Sequence, residues 1–204
     1  PPMPHLTPPA LLSAVVVSSV AVLDLTAAGQ RQPTRELPSV RALGAALAEF
    51  DDGVVHAVAA YYHSQRNHDT PWLLVELGLH SRRTVRVHRE SIELETPDGA
   101  VVRLASHRQW TADVDRAARL FQSAAPTRHQ VRSYFREYAT FTALRFVQPP
   151  RGTGTVVDFA DLTQDQVFLG DLVFEAPTGA WARGDYVLAI HNAASTARLP
   201  VALR

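Results

Sequence analysis

The chain has 204 residues, 46% of them hydrophobic, and its twenty basic residues, all Arg, balance twenty acidic ones. That balance leaves no global field to draw the protein to nucleic acid or to an anionic membrane surface, so neither is expected as a partner. The absence of Cys excludes disulfides, a thiolate nucleophile and a thiolate zinc site, and a chain of this length can hold one domain together by core packing alone.

Ala10 to Leu25 is an apolar run, followed by the small residues of Thr26-Ala27-Ala28-Gly29. A membrane helix wants roughly 20 apolar residues, whereas a run of this length with a small-residue border suits a signal peptidase. Residues 1–29 therefore read as a signal peptide, cleaved after Ala28 or Gly29. The protein is then periplasmic or extracellular, and touches the membrane only through an uncleaved leader. A lead-in without Lys or Arg and an Asp24 near the end of the run are unusual for a leader, and a buried strand or core helix is the alternative. Residues 30–38, polar and carrying Pro33 and Pro38, read as a linker to a single domain over residues 39–204.

Within that domain, Ser39 as a cap and Val40, Leu43, Leu47 and Phe50 at steps of three and four predict an N-terminal helix, ended by Asp51-Asp52-Gly53. Val54 to Ser64 also keeps a helical step, but its Val and paired Tyr residues suit a pleated surface, and a strand is preferred. After a polar turn from Gln65 to Pro71, Trp72 to His80 is the strongest strand. Thr84 to His88, Ser91 to Glu95 and Val101 to Ala105 follow. Ile92 and Leu94 alternate with Glu93 and Glu95, and Thr96-Pro97-Asp98-Gly99 supplies turn chemistry, which together predict a hairpin with one wet face.

A small helical insert is expected over residues 111–137. Thr111 caps a helix that runs to Ala124 with Val114, Ala117, Ala118 and Phe121 on one side, and Pro126 breaks it. Thr127 and Gln130 make a capping box for a second short helix with Val131, Tyr134 and Phe135 on its apolar face. Strand-like segments return at Thr142–Gln148, Val156–Phe159, Gln166–Leu169, Asp171–Ala176, Tyr186–His191 and Arg198–Leu203. About nine strands at close spacing predict a mainly β, antiparallel two-sheet sandwich. Tyr186, in Gly184-Asp185-Tyr186-Val187-Leu188, is expected to bury its ring and bond its hydroxyl.

Trp72-Leu73-Leu74-Val75-Glu76-Leu77, then Ser91 to Gly99, then Phe174 to Leu188, together resemble bacterial immunoglobulin-like domains of unknown function found in exported proteins. The resemblance spans about two thirds of the chain on pattern grounds. It implies an immunoglobulin-like antiparallel β-sandwich, from whose plain form the helical insert departs. It brings no functional residue.

His63, His68 and Asp69 form the best local cluster and are the candidate metal ligands. Their step of five through a turn differs from the His-x-x-x-His spacing of a helical site, and turn formation alone also explains them. His80 and His88 join the cluster only if their strands pair. Arg86, Arg103 and Arg108 are candidate ligand-binding residues in a locally basic stretch, suited to a phosphate or an acidic polysaccharide. The interleaved Glu90, Glu93, Glu95 and Asp98 favour cross-strand ion pairs instead. Trp72, Trp110 and Trp181 suit a sugar platform or, preferably, the core. No phosphate loop, nucleophile elbow or His-Glu-x-x-His occurs, so no catalytic residue is nominated and no cofactor is implied. The expected function is a non-enzymatic binding or scaffolding domain of the cell envelope, whose partner is an envelope protein or glycan. A metal-dependent protein or enzyme using the His63, His68 and Asp69 turn is one alternative, and a purely structural accessory domain is the other.

Overall fold

Strands dominate the chain wherever apolar residues run unbroken or alternate. The computed structural model describes residues 39–150 and 152–204, and the expected leader and linker lie outside the described residues. In chain order the strands begin with β1 (Ser39–Gly44), β2 (Leu47–Asp51), β3 (Val55–Ala60) and β4 (Trp72–Ser81). They continue with β5 (Val85–His88), β6 (Ile92–Glu95), β7 (Val101–Arg103) and β8 (Thr140–Leu144). The last four are β9 (Phe159–Leu162), β10 (Gln166–Glu175), β11 (Gly184–His191) and β12 (Thr196–Leu203). They form a six-stranded sheet in the order β1-β2-β3-β4-β10-β8, a four-stranded sheet in the order β12-β11-β6-β7, and the pair β5-β9. All neighbours are antiparallel except β8, which runs parallel to β10. The fold is thus mainly β with several largely antiparallel sheets.

The helix expected from Ser39 to Phe50 is instead the β1-β2 hairpin. Leu47, Ala48, Glu49 and Phe50 are all buried, and Ala48 and Phe50 join one apolar cluster while Leu47 joins another. A strand buried on both faces has this signature, and its apolar residues mimic a helical step by coincidence. The strand preferred for Val54 to Ser64 is correct as far as Ala60, after which α1 (Tyr62–Arg66) forms.

β4 follows the same two-faced logic. Leu73, Val75, Leu77 and Leu79 enter a cluster that also holds Ile92, Leu94, Leu188, Ile190 and Leu199 from the four-stranded sheet. Trp72 and Leu74 point the other way, into a cluster with Val173 and the helical insert. The two segments expected at Gln166–Leu169 and Asp171–Ala176 are one strand, β10. Gly170 lets β8 pair there, because a side chain would strike the Leu144 carbonyl oxygen. The β6-β7 hairpin is as expected: Ile92 and Leu94 are buried, and the Gly99 amide closes the turn on the Thr96 carbonyl at 2.9 Å.

The insert starts one turn earlier than expected, as α2 (His107–Ala112) followed by α3 (Val114–Ala124). Ser106, not Thr111, is the cap: its Oγ accepts from the Gln109 amide at 3.2 Å while Gln109 Oε1 accepts from the Ser106 amide at 2.9 Å. Thr111 lies inside α2 and donates to the His107 carbonyl. The Thr127 and Gln130 box does not form. Two 3₁₀ turns, Ala125–Thr127 and Val131–Phe135, carry the chain instead, with Val131 and Phe135 buried and Tyr134 exposed.

This segment is clamped to the sheet by charge. Asp171 on β10 is the register partner of Glu76 on β4, and like charges directly opposite repel. Arg128 forms an ion pair with Asp171, and Glu76 accepts from the amides of His129 and Gln130. His129, at φ 70°, turns the backbone so that consecutive amides meet that carboxylate. Burial pushes the Asp171 carboxyl above the ordinary range, against the pull of Arg128. Among the described residues no helix is long and apolar enough to cross a membrane.

Gly78 sets how closely the 3₁₀ turn approaches β4. A Cβ there would lie 2.5 Å from a Phe135 ring carbon and 2.6 Å from a Val131 methyl. Gly78→Ala is expected to cost about 1–3 kcal/mol by overpacking. Urea denaturation checks this as a lower midpoint at unchanged slope.

Candidate anion-binding pocket

β3 ends opposite Glu76, so the amide and carbonyl of Leu74 lack a strand on that side. Ser64 of α1 takes the strand's place: its hydroxyl donates to the Leu74 carbonyl at 2.9 Å and accepts from the Leu74 amide at 2.9 Å. This double bond to β4 fixes α1, and with it the neighbouring His63. α3 packs Ala117, Leu120 and Ala124 against Trp72, Leu74 and Val173. Arg116, Arg119 and Ser123, spaced by three and four along α3, consequently fall on one face and meet His63. A hollow of about 280 Å³ results, lined by His63, Asp69, Pro71, Trp72, Arg116, Arg119, Leu120 and Ser123, among others.

The polar groups of this hollow are only partly satisfied by one another. Ser123 Oγ donates to the Arg119 carbonyl at 2.8 Å and lies 3.5 Å from His63 Nε2. Arg116 Nη1 lies 3.5 Å from Asp113 Oδ2, which already accepts from Trp72 Nε1 at 2.8 Å. Arg119 has no carboxylate partner among the described residues. Burial holds the His63 imidazole below its ordinary pKa, so it is neutral at pH 7. The two guanidinium groups favour an anionic group, while Ser123 Oγ, whose proton is already donated, and exposed Asp69 offer acceptors for ligand hydroxyls.

A second hollow of about 300 Å³ lies between the Arg128–Arg132 stretch and β8. Its Arg128 and Asp171 pair with each other and its Glu76 accepts backbone amides, while Arg128 Nε has no hydrogen-bond partner and Arg132 no carboxylate partner among the described residues. Its two carboxylates and Arg128 hold the insert down, whereas the guanidinium groups of the α3 hollow clamp no element and keep bonding capacity to spare among the described residues.

Of the expected metal ligands, the structure brings together His63 and Asp69 but not His68. His68 faces the β10-β11 connection and the last residue: Nδ1 lies 3.1 Å from the Trp181 carbonyl and Nε2 3.3 Å from the Arg204 carbonyl. A ring with carbonyl oxygens before both nitrogens aims no lone pair at a cation. Among the described residues no group of three or more His, Asp or Glu is disposed to hold a metal. His80 accepts from Tyr138 O–H at Nδ1 and faces the Gln164 carbonyl at Nε2, and His88 packs on Phe159.

The candidate ligand residues Arg86, Arg103 and Arg108 stand on the two-stranded sheet, the four-stranded sheet and α2. Arg86 grips Asp161 through two bonds of 2.7 and 2.8 Å, which hold that carboxyl below the ordinary range, and covers the Phe159 ring. Arg103 faces Glu93 at 3.8 Å. Arg108 is exposed and forms no ion pair among the described residues. Trp72, Trp110 and Trp181 are all buried, which removes them as an open sugar platform. The residues that sequence reasoning missed are Arg116, Arg119 and Ser123. Their helical spacing was visible, but their closeness to His63 was not.

Because His63 is held neutral, the unfolded chain takes up its proton first as pH falls. His63 therefore lowers folding stability as pH drops through about 6.5, the unfolded value. A proton NMR titration is expected to place the His63 midpoint below about 6.5, and His63→Gln is expected to remove this share of the acid-side loss of stability. No family model, curated protein or solved structure matches the chain.

Proposed function

We propose that this protein is a non-enzymatic binding domain whose α3 pocket takes an acidic sugar residue of an envelope glycan. The observation that carries this is the convergence of Arg116 and Arg119 with His63, Ser123 and Asp69 beside Pro71, with buried Leu120 and Trp72 behind them. A sugar carboxylate would lie against the guanidinium groups, and ring hydroxyls would meet Asp69, Ser123 and His63. Half-buried Pro71 offers an apolar contact to the sugar ring. At about 280 Å³ the pocket is sized for one sugar unit rather than a large cofactor. The two Arg residues disfavour a metal cation at the same place.

The immunoglobulin-like sandwich is part of the same reading. It is supported by a core that draws on both large sheets and by Tyr186, whose buried ring packs edge-on to Trp181 and whose O–H donates to the Ala182 carbonyl at 2.9 Å. The six-stranded sheet with its parallel β8 and the helical layer depart from the plain form. Export and a periplasmic or extracellular address rest on the apolar run of residues 10–25 and its small-residue border.

Calorimetric titration with galacturonic acid is expected to show saturable binding that glucose does not give. Arg119→Ala is expected to weaken it about tenfold or more, as loss of a charge-assisted bond does. Equal affinity for the two sugars, or an unaffected Arg119→Ala, would sink the pocket reading. For the address, N-terminal sequencing of protein from the envelope fraction is expected to start at Gly29 or Gln30. Cytosolic protein that retains residues 10–25 would overturn it.

A further inference from the structure

The outer edge of β8 is open. Among the described residues β8 pairs with β10 alone, and no backbone hydrogen bond outside that ladder reaches residues 140–144. Edge strands usually carry a Pro, a charged side chain or a bulge against further pairing. Thr140-Phe141-Thr142-Ala143-Leu144 carries no Pro and no charge, keeps an unbroken register with β10, and has residues that suit a strand.

What flanks this edge is cationic. Arg132 lays its guanidinium 4.2 Å from the centre of the Phe141 ring. Arg136 lines a shallow hollow with Arg132, Tyr138 and Phe141, and Arg145 follows the strand. None of these three Arg residues has a carboxylate partner among the described residues. The nearby acids are otherwise engaged or exposed: Asp171 pairs with Arg128, Glu76 accepts backbone amides, and Glu137 is exposed beside Tyr138.

We propose that β8 is a docking edge for an extended acidic segment of another protein, which adds a strand beside it and sets carboxylates at alternate positions against Arg132 and Arg136. Main-chain bonds to the open edge supply attachment, and the period-two alternation of a strand supplies selectivity. A second copy of this chain is the poorer occupant, since β8 against β8 brings two rows of Arg together. The edge shares no residue with the α3 pocket, so the two proposals stand or fall separately.

The test uses a fluorescein-labelled peptide of alternating Glu and Val and its Lys-for-Glu counterpart, with fluorescence anisotropy and amide hydrogen exchange as readouts. The acidic peptide is expected to bind, to weaken with salt, and to slow exchange at residues 140–144, while the Lys peptide does not bind. Arg132→Glu with Arg136→Glu is expected to weaken the acidic peptide about tenfold or more while leaving galacturonate binding unchanged. If that variant fails to fold, Arg132→Gln with Arg136→Gln replaces it and is expected to weaken binding in the same direction. Equal binding of the two peptides, an unaffected variant, or protection elsewhere than β8 overturns the proposal. A concentration-dependent dimer protected at β8 without peptide overturns it too, and names the second copy as the occupant.

Discussion

The pairing of β4 with β10 gives the six-stranded sheet a centre that is covered on both faces and largely buried. One side of these strands packs against side chains of the four-stranded sheet, and the other side packs under α2, α3 and the 3₁₀ turns. Such a centre rejects water from two layers at once, and a large-to-small change at Leu73 or Leu77 would leave a cavity that neither layer could fill. The helical insert is thus a third layer, and the pocket exists because that layer is held at a fixed place on β4.

Polar groups on the helical face decide how the insert sits. Glu76 and Asp171 face each other across the pair, and their repulsion is removed only when Arg128 and the amides of residues 129 and 130 arrive. Farther along β4, Ser64 replaces a missing strand partner at Leu74. Both arrangements satisfy buried polar groups that a purely apolar face would not contain, and so they specify one position for the insert rather than merely adding attraction. At the pocket itself the balance differs. Among the described residues Arg119 and part of Arg116 are left with unused bonding capacity, and burial holds the His63 imidazole below its ordinary pKa.

Much of the strand content was legible because it rests on local pattern. Trp72 to His80 reads as a strand from its largely apolar run, and Ser91 to Ala105 as a hairpin from alternation and the Thr-Pro-Asp-Gly turn, and the structure forms both. Tyr186 behaves as its setting suggests, with its ring buried and its hydroxyl bonded. The first hairpin reads as a helix because burial of β2 on both faces erases the period of two on which strand recognition relies, while Val40 and Leu43 of the largely exposed β1 fall at a helical step by coincidence. Thr111 does not cap the helix that runs to Ala124, because the Ser106 and Gln109 box starts α2 one turn earlier and leaves Thr111 inside it. For the candidate site, His63 and Asp69 were legible as a polar cluster, but His68 was drawn away by the carbonyls of Trp181 and Arg204, distant in sequence.

The sequence by itself determined the absence of disulfide and thiolate chemistry, the balance of charge, the mainly β composition and the presence of a helical interlude. Each of these follows from residue type or from neighbours a few positions apart. Only the tertiary structure decided which polar residues meet. Arg119 and His63 lie on separate elements and converge because α3 and α1 are anchored to the same strand, β4. Arg86 and Arg103, close in sequence, are taken up by Asp161 and Glu93 on different sheets. Local pattern is set by short-range sterics and side-chain period, whereas a site depends on long-range pairing that no local window contains.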